Sequence, residues 1–309
     1  MKKLQLFSKA SQGASVLLWI WTVAFLLIAG AVNAQEEEAA PEKDTRPIRN
    51  TFESIWLIDN QTVMVPIKGT FEFDIQHRFG VLTNGYDDFW GLYAPSNIRI
   101  GLNYVPVEKL QLGFGFTKER KTWDFNAKYA LFQQGRVGGW PVSVTYFVNA
   151  AFDTRDKSLF PKDTYEGSDR LSYFHQLMVA RKISDKFSLQ ASVSVSHFNF
   201  QEQVPTDVPE VTQKMNNDHL ALSFLGRYKI SSGMGIIVNY DLPMTSHEVN
   251  DPNPNLSFGL EINSSSHAFQ IFVGQNYNIV PQLNNMFNWA TNPEPDFLIG
   301  FNITRLWNF

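Results

Sequence analysis

The chain has 309 residues, a formal net charge of −4, 44% hydrophobic, 14% aromatic and 18% charged residues, and no cysteine. So large an apolar and aromatic share excludes a disordered chain, the acidic balance offers nothing to nucleic acid, and the missing cysteines exclude disulfides and thiolate chemistry. A mean hydropathy of −0.20 also argues against a bundle of membrane helices, each of which needs about 20 apolar residues in a row.

Residues 1–34 read as an export signal. Lys2, Lys3 and Lys9 precede an apolar stretch from Val16 to Ile28, and the small residues Val32, Asn33 and Ala34 lead to a cut before Gln35. Those 34 residues hold three lysines and no acid, so their removal takes the net charge from −4 to −7. Residues 35–50 are acidic and have no apolar period, which predicts a disordered leader. Residues 51–65 are apolar but too irregular for a strand. Two readings stand for them: a periplasmic hairpin turning at Asp59 and Asn60, or a plug inside a lumen.

From residue 66 to the end the dominant signal is period two. Phe71, Phe73 and Ile75 alternate with Glu72, Asp74 and Gln76, and Ile98, Ile100, Leu102 and Tyr104 alternate with Arg99, Gly101 and Asn103. The pattern recurs over 110–116, 123–131, 142–152, 171–179, 187–195, 220–230, 234–242, 256–262, 269–273 and 297–309, predicting twelve strands. Connections after odd-numbered strands are long, apart from 118–121, and those after even-numbered strands are short or middling. An up-and-down barrel of the bacterial outer membrane has this form, with lipid outside, short periplasmic turns and both chain ends in the periplasm.

A soluble β-sandwich also alternates, but three features favour the all-β transmembrane barrel. Aromatics mark the strand ends, as at Tyr104, Phe116, Trp123, Tyr129, Trp140, Tyr228, Tyr240 and Trp307, where interface girdles belong. The opposite phase is small or polar. Phe301, Ile303, Trp307 and Phe309 share one phase of the last strand, which resembles the terminal-aromatic signal recognised by the barrel-assembly machinery. Arg305, on that outward phase, can snorkel to head groups. His175 sits near mid-strand, which calls for a neutral imidazole or a one-residue bulge.

The inward phase carries Lys68, Glu72, Asp74 and Arg78 on the first strand, Arg99 on the second, and Asp124 and Lys128 on the fourth. Arg227 and Lys229 follow on the eighth, Asp241 on the ninth and Glu261 on the tenth. Such residues either line a solute path or stiffen the barrel as a network. Both signs occur in near balance, which argues against strong ion selectivity. Twelve strands enclose more space than side chains alone fill easily, so water, a loop or a plug must occupy the rest.

Catalytic and metal patterns are missing from the sequence. None of His77, His175, His197, His219, His247 and His267 is followed two residues later by serine, as an outer-wall lipase pair requires. His197 and His247 lie near loops holding Asp207, Glu210 and Asp251, a neighbourhood that loops of this composition produce by chance. No two histidines are spaced for one metal. The reading is of a chain that is no enzyme, with neither cofactor nor metal.

Several stretches resemble a family of bacterial outer-membrane β-barrel proteins known mainly as a domain of unknown function. They are Ile75-Gln76-His77-Arg78-Phe79-Gly80, residues 97–104, Gly113-Phe114-Gly115, Lys121-Thr122-Trp123-Asp124 with Lys128-Tyr129, and residues 141–144. The likeness runs from about Thr51 to the end and is clearest in the first half. Family members often carry a basic residue after the Gly-Phe-Gly, where this chain has Phe116. The resemblance implies location and fold only. Lumen and loops together predict a porin-like channel for small hydrophilic solutes. The alternative is a non-conducting barrel whose external loops, especially 276–295 with Phe287, Trp289 and Pro293, bind an envelope partner.

Overall fold

The computed structural model describes residues 44–160, 164–205, 212–288 and 296–308. The export signal, residues 35–43, Asp207, Glu210, Trp289, Pro293 and Phe309 lie outside the described residues. Twelve antiparallel strands close into a barrel in sequence order. They are β1 (Thr70–Val81), β2 (Asn97–Val107), β3 (Leu110–Thr117), β4 (Thr122–Phe132), β5 (Ser143–Asp153) and β6 (Leu171–Lys182). The second half comprises β7 (Phe187–Phe198), β8 (Asp218–Ser231), β9 (Met234–Pro243), β10 (Asn255–Asn263), β11 (His267–Gly274) and β12 (Leu298–Asn308). β12 closes on β1 with Phe301 opposite His77 and Ile303 opposite Ile75.

The pleat sends alternate residues to lipid and lumen. On β6, Ser172, Phe174, Gln176, Met178 and Ala180 are buried inside, while His175, Leu177 and Val179 face out. The outer face carries large apolar side chains that water would not tolerate in such a continuous band, including Phe125, Tyr129, Ile236, Phe258 and Ile271. His175 needs no bulge. Its strand keeps regular register with both neighbours, and the imidazole Nδ1 is 2.8 Å from the Tyr146 hydroxyl on β5. Arg305 is exposed, and its guanidinium lies over the Trp307 ring at 4.7 Å.

Residues 44–50 correct the expectation of a leader disordered to residue 50. Ile48 N donates to Gln134 O at 2.8 Å and Arg136 N to Arg46 O at 3.0 Å, so this stretch lies along the β4–β5 turn. The chain then enters the barrel. Phe52, Ile55, Trp56, Leu57, Ile58 and Val63 are all buried, and Trp56–Leu57 pairs with Asn60–Gln61 in a small hairpin. Phe52, Leu57, Ile58 and Val63 share an apolar cluster with inward-facing residues of five strands: Phe147 on β5, Phe174, Met178 and Ala180 on β6, Leu225 on β8, Ile237 on β9 and Phe272 on β11. The core of the molecule is thus inside the barrel and is completed by its own N-terminal segment.

A second element fills the external end. The β11–β12 connection folds into α1 (Pro281–Met286), begun by a proline at its first turn, where no intrahelical N–H bond is lost. Val280, Leu283 and Met286 pack there against Ala151, Phe198 and Met215. Beside it, Asn216 N donates to His247 Nδ1, leaving Nε2 to donate to His219 Nδ1 at 2.9 Å. Burial holds the His247 pKa below its ordinary 6.5. The unfolded chain therefore takes up a proton first, and this histidine's contribution to stability, full above about pH 6.5, is lost as pH falls below it. Protection factors for amide exchange across residues 244–254, with the intrinsic pH dependence of exchange divided out, are expected to be lower at pH 5 than at pH 7, and the difference to shrink in His247→Gln. Equal protection factors at both pH values in the parent protein would contradict this.

Candidate functional site

The inward faces and the N-terminal segment meet in one polar network. Arg99 on β2 is its most heavily paired member. Its Nη1 donates to Asp74 at 2.8 Å, and its Nε and Nη2 donate to the two oxygens of Asp124, each at 2.9 Å. Asn103 and Asn149 supply further donors to Asp74 and Asp124, both at 2.9 Å. One face of the guanidinium lies 5.6 Å from the Trp56 ring of the inserted segment. Gly101 and Gly115 make room for this arrangement, because a Cβ at either would collide with the Arg99 guanidinium. Arginine's planar fork suits two carboxylates at once, as a lysine would not.

The tip of the inserted segment is held just as specifically. Asp59 accepts from Arg78 Nη2 at 2.9 Å and from Asn255 and Ser257. Asn60 donates to Asn239 and Asp241 and accepts from Gln176. Lys128 Nζ donates to Gln61 Oε1 at 2.7 Å. Ser54 donates to Glu261, which also pairs with Arg227. Main-chain groups of the segment find side chains too. Ile58 N donates to Gln270, Val63 N to Gln190, and the carbonyls of Trp56, Gln61, Ile58 and Val63 accept from Gln270, Gln190, Asn302 and Thr145. Among the described residues no main-chain to main-chain bond joins residues 51–65 to a barrel strand. Side chains alone hold the segment.

Most of the charged residues read from the sequence as inward-facing are brought into this network. Glu72, Asp74, Arg78, Arg99, Asp124, Lys128, Arg227, Asp241 and Glu261 are all buried. Lys229 lies half-buried near the end of β8. Lys68 is a correction: it is exposed in the turn before β1, because Gly69, at φ 85°, breaks the alternation there. Phe301 and Ile303 occupy the outward phase of β12, Trp307 is half-buried, and Phe309 lies outside the described residues. The residues that sequence reasoning missed are the neutral amides Gln190, Gln270, Asn255 and Asn302. Their phase was visible, but only the path of the inserted segment gives them a partner.

The two halves of the wall differ. The apolar side of the segment leans on β5, β6, β8, β9 and β11, whereas β1–β4 present charges and amides. Gln76 on β1, Gln111 and Thr117 on β3 and Asn126 on β4 each bury a polar atom that has no protein partner. Buried polar atoms require a hydrogen bond, so that side of the lumen is suited to water. At the external end, His219, Asp241, Asn255, Asn276 and Asn284 border a cavity of about 10 Å³, room for roughly one water.

Three of the described histidines make pairwise contacts near the external end. His197 pairs with Asp218 at 2.7 Å and His247 with His219 and, through its main-chain N–H, Asp251. Among the described residues no group of three metal-ligating side chains converges.

Residues 52–307 match the model of a family described as "Membrane bound beta barrel domain (DUF5777)". No curated protein sequence matches the chain. Among solved structures it is similar to the NanC porin, at 7% identity and a TM-score of 0.48, over 77% of this chain and 99% of that one. An outer-membrane channel from Pseudomonas putida F1 gives 11% identity and a TM-score of 0.49 over 79% and 97% of the two chains. The KdgM porin gives 9% and 0.42 over 76% and 98%.

Proposed function

The chain belongs to the membrane bound beta barrel domain family, and from that premise we propose that it is a channel of the bacterial outer membrane for small hydrophilic solutes, closed at rest by its own residues 51–65. One observation carries this reading: the segment occupying the lumen is attached to the wall by side chains only. Withdrawal toward the periplasm therefore breaks no strand ladder and leaves the barrel closed on itself. The wall it would uncover along β1–β4 is charged and amide-rich, with Glu72, Asp74, Arg99, Asp124 and Lys128 as the lining. Phe301, Ile303, Trp307 and Phe309 serve, in the same reading, as the signal for barrel assembly.

Swelling of proteoliposomes in sugars of graded size tests the solute class. Vesicles with the intact chain are expected to swell no faster than empty ones, and those with residues 51–64 deleted to admit small sugars and exclude large ones. Fast swelling with the intact chain would contradict the resting closure; none with a folded deletion variant would contradict the channel.

A second reading rests on the external β1–β2 connection. Tyr86 and Tyr93 are 78% and 79% exposed, and they surround Phe89 and Trp90 in one aromatic cluster. In that reading the barrel stays shut and this cluster docks an envelope partner. A deletion variant that is folded yet silent would favour it.

A further inference from the structure

At the external mouth, four connections enclose a cavity of about 90 Å³, room for roughly three waters at their liquid volume. Leu159, Phe160, Phe198, Phe200 and Leu283 make much of its wall, and Arg120, Arg155 and Arg170 bring three cations to it. Two of the three are already engaged. Arg155 is paired with both oxygens of Asp153, and Arg170 donates to the Tyr165 hydroxyl and to the carbonyls of Asp153 and Arg155. Arg120 is different. Its guanidinium lies 3.8 Å from the centre of the Phe287 ring, and among the described residues it makes no hydrogen bond or ion pair.

We infer that this cavity binds a small, singly charged organic carboxylate with a flat apolar body, held by Arg120. Phe287 covers one face of the guanidinium, so its N–H edge is the part left to receive a ligand, and that edge matches a carboxylate in two-point geometry. The phenyl and leucine side chains opposite provide the apolar contact that most small-molecule sites use. Single charge follows from the neighbours. Asp153, Asp169 and Glu202 also border the cavity, and they would repel a phosphate or a polycarboxylate. Arg120 and Lys121 both hold left-handed backbone, at φ 53° and 46°, a costly conformation for such residues, and the Phe287 ring is what positions the guanidinium. Burial pulls the Arg120 pKa down to about 10, which still leaves it charged at neutral pH. The site is independent of whether the lumen conducts.

Benzoate is the probe, titrated calorimetrically into the full chain in detergent, with benzyl alcohol and inorganic phosphate as controls. Benzoate is expected to bind, and both controls to bind at least tenfold more weakly. Arg120→Gln should weaken benzoate at least tenfold, and Arg120→Lys, which keeps the charge but loses the fork, by a smaller factor. Retention of the compact, faster-migrating form in unheated gels shows that each variant is folded. Absence of benzoate binding to the parent protein would overturn the inference. So would equal binding by Arg120→Gln, equal binding of benzyl alcohol, or tighter binding of phosphate.

Discussion

Replacing Arg99 with alanine is expected to lower the unfolding free energy by about 3–5 kcal/mol, the usual cost of removing one partner from a buried ion pair. The reason is the fate of the carboxylates. Asp74 and Asp124 are 0% and 1% exposed, and without the guanidinium both remain buried with only Asn103 and Asn149 donating to them. The inserted segment would also lose the cation beneath Trp56. Urea titration in lipid vesicles, followed by tryptophan fluorescence, measures the effect. A loss under about 1 kcal/mol, the scale of a surface pair, would mean that the network is hydrated and does not hold the wall and segment together. Gly115→Ala should act in the same direction, since its added Cβ meets the Arg99 guanidinium.

A larger disturbance is expected from placing aspartates at Leu57 and Ile58 together. Both side chains are fully buried in the apolar cluster with Phe147, Phe174, Ile237 and Phe272. Truncating either one to alanine already costs about 2–5 kcal/mol, and an unpaired carboxylate in such a site costs more. The strand ladders need nothing from the segment, so the segment leaves and the barrel stays. Chymotrypsin is then expected to cut at Phe52 and Trp56, which are 1% and 2% exposed in the native chain, while the unheated gel still shows a folded barrel. Protection of both sites in a folded variant would mean that the segment is bound more deeply than its contacts suggest.

These two results bear on different levels of the sequence. The barrel was legible because period two is a local property: each strand declares its lipid face through residues such as Phe125 and Ile271 and its inner face through Asp124 and Gln270. Closure order followed from alternating connection lengths. The path of residues 51–65 was not legible, since an apolar, irregular stretch with a turn at Asp59 fits a hairpin outside the barrel as well as an insert. What decides it is complementarity between that stretch and inner residues up to 244 positions away, as between Ile58 and Asn302. The apolar inward residues Phe147, Phe174, Met178 and Ile237 interrupt the small or polar inner phase for the same reason. Read one strand at a time they blur the alternation, and only together do they form a seat for the segment. Lys68 erred the other way, because the pattern was extended past a glycine turn. Arg120 had no signal at all: its importance comes from a neighbour, Phe287, on a connection that meets it only in space.

Single-channel recording in planar bilayers tests the closed lumen most directly. The intact chain is expected to give a quiet baseline at any salt concentration, and the chain lacking residues 51–64 to give discrete steps whose size rises with salt. A steady open current from the intact chain would contradict closure by this segment, and so would a folded deletion variant whose conductance matches that of the parent.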